Sequence, residues 1–283
     1  MSDHQTHPVG IFDSGVGGLS VLREIRQLLP GQPLVYVADQ AHIPYGSKPL
    51  DDIRHFSFEI TRLLLARSAR LIVVACNTAS AAALAPLREA HPDIPFVGME
   101  PAVKSASQQT HSRVVGVLAT PATFQGRMYS TLVERFAQDV RILTNTLPGL
   151  VEAIERGELD LPATRAILEA AIRPMVETGA DTLVLGCTHF PFVLPLIRQI
   201  AGEGVTVIDP APAVAQRVAF LLEERGMLSA KKEGAGVLFA TSGDPTRFSR
   251  MLALLLDLRA EAQPLRWDAE TRQLTEMRQF VWN

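Results

Sequence analysis

The chain has 283 residues, of which 47% are hydrophobic and 20% are charged, and its formal net charge is −3. This is the composition of a globular protein with enough apolar residues to bury a sizeable core, and it excludes a disordered chain. The small negative charge and the lack of a long lysine or arginine cluster exclude a nucleic-acid-binding surface. We therefore expect a small-molecule partner and no nucleic acid.

The N-terminal segment and the hydropathy pattern bear on location. Residues 1–8 are polar, without the basic start and apolar centre of a secretory signal, and no apolar run reaches the roughly 18 residues of a membrane-spanning helix. We therefore expect a cytoplasmic protein that makes no membrane contact. The two cysteines are then expected to be free thiols, and their spacing does not predict a metal site.

Strand-like and helix-like segments alternate along the chain, as is typical of α/β units around parallel sheets. Apolar runs predict strands at 9–13, 34–38, 71–76, 95–98, 114–118, 140–143, 182–187, 205–208 and 236–240. Helical periodicity predicts helices at 18–29, 50–68, 79–90, 124–136, 149–156, 163–178, 192–201, 211–225 and 245–258. The sequence thus predicts an α/β fold with mostly parallel sheets.

An internal repeat divides the chain into two halves. Segment 9–14 matches segment 115–120, and the two cysteine-bearing segments repeat at nearly the same offset. We therefore predict two similarly wound α/β domains, related by a pseudo-twofold axis, with an active site in the cleft between them. The last predicted strand follows the return of the chain from the second domain, so it is assigned to the first. The predicted division is 1–98 with 210–283, and 99–209.

A glycine-containing loop from Asp13 to Gly18 joins the first predicted strand to the first predicted helix. Its backbone N–H groups and the helix N-terminus can receive an anion, although its spacing does not match a dinucleotide fingerprint. A tight turn capped by Asp13 is the alternative. In the next loop, Tyr45 and Gly46 offer a phenol and N–H groups to a carboxylate, or the tyrosine simply packs.

Each cysteine ends a predicted strand and is followed by small polar residues. Open α/β sheets bind ligands at the carboxyl ends of their strands, so we expect both thiols in one cleft. A single free cysteine is most often a small buried hydrophobe, but two in matching positions favour a function. The residues are Cys76 with Asn77 and Thr78, and Cys187 with Thr188 and His189.

Two facing thiols suit a reaction in which one removes a proton from carbon and the other returns a proton on the opposite face. Each thiol needs a neighbour that takes its proton or lowers its pKa, and His189 and Asp13 are the candidates. A Cys–His nucleophile for acyl transfer would use one cysteine only. Pyridoxal chemistry would need a lysine, and none lies near either cysteine segment, so we expect no cofactor.

Five short motifs occur in one order along nearly the whole chain. They are FDSGVGGLS at 12–20, PYG at 44–46, ACNTA at 75–79, GCTHFP at 186–191 and TSG at 241–243. The ordered set resembles the glutamate racemase family of the aspartate/glutamate racemase superfamily. The resemblance implies a cofactor-independent isomerase with a two-base mechanism, which interconverts L- and D-glutamate for peptidoglycan synthesis, cell wall biogenesis and cell shape.

The resemblance also implies a role for individual residues. Cys76 and Cys187 are the two bases, with Asp13 assisting the first and His189 assisting the second. The implied substrate-binding residues are Asp13, Ser14, Tyr45, Gly46, Asn77, Thr78, Thr120, Thr123, Thr188 and His189.

Auxiliary acidic residues are less well defined by the resemblance. Asp39 occupies an acidic position of the family near the site. The family also has a glutamate that supports the second cysteine, and alignment by pattern points to Glu155, with Glu152 as the alternative. The tail 259–283 extends past the part of the chain that matches the family.

Two alternative functions stay open. Another racemase of the superfamily, acting on aspartate or a hydantoin, would keep both thiols, but Thr188 and His189 favour glutamate because aspartate-type relatives tend to carry an acidic residue there. The resemblance also allows a gyrase-inhibiting interaction role, which can only be secondary beside a full set of catalytic residues. A homodimer is compatible with the sequence.

Overall fold

The structure, a computed structural model, describes residues 7–277. Seven strands form the larger of two sheets, in the spatial order β11-β10-β9-β2-β1-β3-β4. Neighbouring strands are parallel except for the antiparallel pair β10 and β11. The strands are β1 Val9–Asp13, β2 Leu34–Ala38, β3 Leu71–Val74, β4 Phe96–Gly98, β9 Val237–Thr241, β10 Ala262–Trp267 and β11 Leu274–Glu276.

Four parallel strands form the second sheet, in the order β6-β5-β7-β8. They are β5 Val114–Ala119, β6 Arg141–Asn145, β7 Thr182–Gly186 and β8 Thr206–Ile208. The helices are α1 Leu19–Leu28, α2 Leu50–Ala66, α3 Asn77–Ala90, α4 Val103–Gln109, α5 Pro121–Gln125, α6 Arg127–Phe136, α7 Leu150–Glu155, α8 Pro162–Glu177, α9 Leu194–Ala201, α10 Ala211–Glu224 and α11 Pro245–Leu256. The predicted α/β fold class with mostly parallel sheets is confirmed.

The two sheets repeat one strand order. The run β2-β1-β3-β4 of the first sheet corresponds, strand by strand in chain order, to β6-β5-β7-β8 of the second. The matched segments at 9–14 and 115–120 fall on β1 and β5, the second strand of each run. Cys76 and Cys187 follow β3 and β7, which are also equivalent strands, so the repeat brings each thiol to the same place in its sheet.

Alternating side chains place helices on both faces of each sheet. On β1, Val9 and Ile11 pack into the core beneath α1 and α10, whereas Phe12 packs beneath α2 and α3. On β5, Val117 packs against α4 and α6, and Leu118 points to the other face. The core beneath α1 and α10 continues into the core beneath α8 and α9, so the two sheets share one apolar cluster.

All nine predicted strands are present, and the differences are local. The predicted strands that include the cysteines end at Val74 and Gly186, because Cys76 instead caps α3 and Cys187 begins a turn. The sequence missed α4, α5, β10 and β11. The sheets draw their strands from 9–98 with 237–276, and from 114–208. The domain boundaries stay a prediction, and residues 1–6 and 278–283 lie outside the described part.

Residues 7–277 include no helix that is both long enough and apolar enough to span a bilayer.

Candidate active site

Both cysteines line one cavity at the carboxyl ends of the parallel strands. Its volume is about 220 Å³, and the Cys76 and Cys187 residues are only 5% and 6% exposed. The wall consists of segments that follow β1, β2, β3, β5, β6 and β7. The lining residues are Ser14, Pro44, Gly46, Ser47, Cys76, Asn77, Thr120, Pro121, Thr146, Leu147, Pro148, Gly149, Val151, Glu152, Cys187, Thr188 and His189.

The Cys76 half-site consists of Cys76 and Asp13. Cys76 is the N-cap of α3, and its Sγ accepts a hydrogen bond from the N–H of Ala79 at 3.4 Å. Burial raises the pKa of the Cys76 thiol well above its ordinary value, and the nearby Asp13 carboxylate raises it further. Cys76 is therefore protonated at neutral pH unless a neighbour takes its proton.

Asp13 ends β1 and organises the glycine-containing loop. Its Oδ2 accepts hydrogen bonds from the N–H groups of Gly15 at 3.2 Å and Gly18 at 2.8 Å. Oδ1 is buried without a hydrogen-bond partner among the described residues. Burial raises the pKa of Asp13. A buried carboxyl with a raised pKa and a free oxygen, close to a thiol, is suited to proton exchange.

The Cys187 half-site consists of Cys187, His189 and Glu155. Nδ1 of His189 lies 3.7 Å from Sγ of Cys187, and Nε2 lies 2.7 Å from Oε1 of Glu155. Burial by itself lowers the pKa of His189, but the contacts with Cys187 and Glu155 outweigh it and raise the pKa well above its ordinary value. The imidazole is therefore an imidazolium at neutral pH, with the thiol on one side and the carboxylate on the other.

Glu155 ends α7 and reaches across to the first sheet. Its Oε1 accepts a hydrogen bond from the N–H of Val16 at 2.6 Å, and its Oε2 accepts one from Nε2 of Gln40 at 2.9 Å. Burial raises the pKa of Glu155, but hydrogen bonds from His189, Val16 and Gln40 leave it lowered. Glu152, the alternative, is exposed at the cavity wall and does not contact His189 in the described contacts. The geometry thus favours Glu155 for the supporting acid, whose role stays a prediction.

The glycine-containing loop lets the two units come close together. A Cβ atom at Gly17 would collide with His189 and lie 2.7 Å from Oγ1 of Thr188. A Cβ atom at Gly15 would collide with Glu155. These glycines are therefore required by the approach of the Cys187 half-site, in addition to any contact with an anion.

Unpartnered polar atoms mark the cavity as a binding site. Four buried side-chain polar atoms lack a hydrogen-bond partner among the described residues: Asp13 Oδ1, Thr61 Oγ1, Asn77 Nδ2 and Asn77 Oδ1. Three of these four belong to residues at the site, and Asn77 lines the cavity. Because buried polar groups are nearly always paired, the Asn77 amide is placed to bind a polar ligand.

A chain of threonine hydroxyls joins the two units beside the cavity. Oγ1 of Thr78 lies 2.7 Å from Oγ1 of Thr120, which lies 2.9 Å from Oγ1 of Thr123. Thr120 lines the cavity, whereas Thr78 and Thr123 lie behind it. A Cβ atom at Gly46 would come 2.9 Å from Cβ of Thr120, so Gly46 permits this close packing.

Asp39 and Tyr45 serve the wall rather than the cavity. Asp39 is fully buried and accepts four hydrogen bonds, whose donors are Tyr45 Oη, His42 Nδ1, Ser242 Oγ and Trp267 Nε1 at 2.6 to 2.9 Å. The expected offer of the Tyr45 phenol to a ligand therefore does not occur in this structure, because that hydroxyl already donates to Asp39. Neither residue lines the cavity.

Sequence reasoning missed part of the wall. Residues 146–149 and Val151 line the cavity, as do Pro44, Ser47 and Pro121. The signal available for 146–149 was its Pro-Gly pair, which indicates a loop without indicating a ligand. Leu147 has a positive φ of 45° although it is not glycine, so the backbone of this loop is constrained.

Comparison with known proteins identifies the family. The model of the Asp/Glu/Hydantoin racemase family matches residues 11–218. The chain belongs to this racemase family. A glutamate racemase from Roseiflexus sp. (strain RS-1) is 52% identical over 253 residues, covering 89% of this chain and 93% of that relative.

Solved structures of family members share the fold. Glutamate racemase isoform RacE1 from Bacillus anthracis superposes with a TM-score of 0.84 at 31% identity, covering 92% of this chain and 98% of that one. Glutamate racemase from Francisella tularensis, solved in complex with D-glutamate, has a TM-score of 0.80 at 27% identity, covering 92% and 97%. The family resemblance drawn from the five motifs is confirmed. Within residues 7–277, no group of three or more acidic, histidine or cysteine side chains is arranged to hold a metal ion.

Proposed function

We propose that this chain is a glutamate racemase that interconverts L- and D-glutamate by proton transfer at Cα, without a cofactor. The observation that carries the proposal is that two thiols reach one cavity from equivalent strands of two sheets with the same strand order. The family's glutamate racemases, including the Francisella tularensis enzyme solved with D-glutamate, supply the substrate.

The two half-sites divide the proton transfer. One sulfur, as the thiolate, removes the α proton from one face, and the other, as the thiol, donates a proton to the opposite face. In the Cys187 half-site, His189 takes or returns the proton of the sulfur, and Glu155 stabilises the imidazolium. In the Cys76 half-site, Asp13 has the same part. After one turnover the sulfurs have exchanged protonation states, so the reaction in the other direction starts from there.

Substrate binding relies on neutral donors. The described lining of the cavity includes no lysine or arginine, so carboxylates are held by backbone N–H groups and by side chains. Asn77 offers an unpartnered amide, and Ser14, Thr120 and Thr188 offer hydroxyls. The long helix α3 directs its N-terminus toward this wall, since Asn77 is its first residue. Tyr45, Thr78 and Thr123 act behind the wall by holding its shape.

Racemisation in D₂O tests the proposal directly. The wild-type protein should interconvert the two glutamate enantiomers with incorporation of deuterium at Cα, and should act far more slowly on aspartate or a hydantoin. Cys76→Ala and Cys187→Ala should each lose racemisation by about 10³-fold or more, while thermal unfolding stays close to wild type. Normal turnover in either variant, or equal rates on aspartate, would rule out the proposal.

The product has a defined use in the family. D-Glutamate made by this reaction would supply peptidoglycan synthesis, as the resemblance implies. A cytoplasmic location and a homodimer stay predictions.

A further inference from the structure

A chain of hydrogen bonds runs from the first sheet to the Cys187 half-site. Oγ1 of Thr241, at the end of β9, donates to Oε1 of Gln40 at 3.0 Å, and Nε2 of Gln40 donates to Oε2 of Glu155 at 2.9 Å. Glu155 then contacts His189, and His189 contacts Cys187. Gln40 is the link in this chain to which the mechanism above gives no part.

The TSG motif at 241–243 builds the seat of Gln40. Oγ of Ser242 accepts the N–H of Ala41 at 3.0 Å and donates to Asp39 at 2.7 Å, which fixes the backbone on both sides of Gln40. A Cβ atom at Gly243 would lie 2.7 Å from Cβ of Gln40, so only glycine leaves room for this side chain. The motif therefore directs one amide toward Glu155.

The orientation of the Glu155 carboxylate depends on this amide. Oε1 is shared by Val16 N–H and His189 Nε2, whereas Gln40 is the partner of Oε2 among the described residues. Glu155 is only 6% exposed, so water cannot readily replace a lost donor. Without Gln40 a buried, charged oxygen would be unpaired, and the carboxylate would turn or take up a proton.

We propose that Gln40 is a positioning residue of the Cys187 half-site, holding Glu155 so that His189 can exchange a proton with Cys187. This inference rests on the proposed racemase function. Gln40 belongs to the loop after β2, in the first sheet, whereas Glu155 and His189 belong to the unit of the second sheet. The relay of one thiol is therefore completed by the opposite unit. Gln40 does not line the cavity, so it acts on proton transfer and not on substrate binding.

The pH dependence follows from the charge of Glu155. The groups that face it are His189, Asp13, the phenol of Tyr36 and Arg247, whose guanidinium donates to its carbonyl at 3.3 Å. Among the donors that lower the pKa of Glu155, Gln40 acts after His189 and Val16. Loss of Gln40 therefore raises this pKa, and the carboxylate is lost at a higher pH. The acidic limb of the kcat profile should move upward.

The experiment compares Gln40→Met, Gln40→Glu and the control Gln138→Met. Methionine keeps the length of glutamine but donates no hydrogen bond, and Gln138 is an exposed glutamine that donates to the Glu134 carbonyl. For Gln40→Met we expect kcat to fall about tenfold or more, with the acidic limb about one pH unit higher and little change in KM. For Gln40→Glu the shift should be larger, because two adjacent carboxylates share a proton. The control should match wild type.

Thermal unfolding of each variant separates a folding defect from a catalytic one, and Gln40→Glu tests the inference even if Gln40→Met is unstable. A wild-type kcat and pH profile in both Gln40 variants would overturn it. So would a loss of kcat without a pH shift, or a loss explained by KM alone. Failure of the wild-type protein to racemise glutamate would instead refute the proposed function, so the two failures are distinct.

Discussion

Nε2 of His189 lies 2.7 Å from Oε1 of Glu155, with side chains only 3% and 8% exposed. This pair joins the turn after β7 to the end of α7 and gives the Cys187 half-site an imidazolium. The Cys76 half-site has the carboxyl of Asp13 in that place. The two thiols occupy equivalent positions in the fold but have chemically different neighbours, and the predictions below separate those neighbours from the structural residues around them.

The buried imidazolium predicts a pH-dependent stability. The folded pKa of His189 lies above the unfolded value, so its stabilisation is fully present below the unfolded pKa of about 6.5 and is lost as pH rises through the folded pKa. Above pH of about 6.5, the unfolding free energy of the wild type should fall relative to His189→Gln by about 1.4 kcal/mol per pH unit. Urea unfolding over this range measures it. Parallel curves for the two proteins would contradict it.

Replacing Asn77 should weaken binding without loss of stability. Its amide makes no hydrogen bond in the free protein, so Asn77→Ala removes an unpaired polar group and should leave the unfolding temperature equal or higher. KM for glutamate should rise about tenfold, which corresponds to about 1.4 kcal/mol.

Thr61→Val is the matched control for Asn77→Ala. Thr61 lies on α2, away from the cavity, and its hydroxyl is also buried without a partner. This variant should be equally stable or more stable, with KM unchanged. An unchanged KM in Asn77→Ala as well would show that the amide does not bind the substrate.

Gly17→Ala should disable the Cys187 half-site from a distance. The added methyl group would collide with the imidazole of His189, which must shift away from Cys187. Because a misplacement of about 1 Å in an active site costs about 100-fold, kcat should fall by about that factor. Gly204→Ala, where an added Cβ meets nothing within 4 Å, is the control and should keep wild-type rates. Equal kinetics of the two variants would be evidence against a tight fit.

Trp267→Phe should lower stability and leave substrate affinity unchanged. The indole Nε1 donates to Oδ1 of Asp39 at 2.6 Å, and this contact ties β10 to the loop after β2. Loss of a donor to a buried carboxylate costs about 1.5–3 kcal/mol, measurable by urea unfolding. Since Trp267 does not line the cavity, a large rise in KM would contradict the assignment.

The sequence predicted the parts of the site that strand ends define. Apolar runs that stop at Cys76 and at Cys187 place both thiols at the carboxyl edge of parallel sheets, and the repeat makes their strands equivalent. Asp13 and His189 follow because each is close in sequence or at a neighbouring strand end. Such residues can be found because regular secondary structure converts sequence position directly into spatial position.

The remaining residues depend on contacts between units that no local pattern encodes. Glu155 and Gln40 are far apart in the sequence and meet only because the two sheets pack together. The strands β10 and β11 were missed because their apolar residues are few and partly exposed. Helix α4 was missed because its sequence, Val-Lys-Ser-Ala-Ser-Gln-Gln, buries only Val103 and Ala106.

The shared strand order of the two sheets also limits how evenly this enzyme can treat mirror-image molecules. Both units are built from L-residues with the same winding, so rotation and translation can relate them, but reflection cannot. No handed scaffold can offer enantiomers identical surroundings, and each must bind with its own affinity and turn over at its own maximal speed. Thermodynamics still fixes the equilibrium between mirror images at unity, so any advantage in binding one enantiomer is matched by a slower conversion of it.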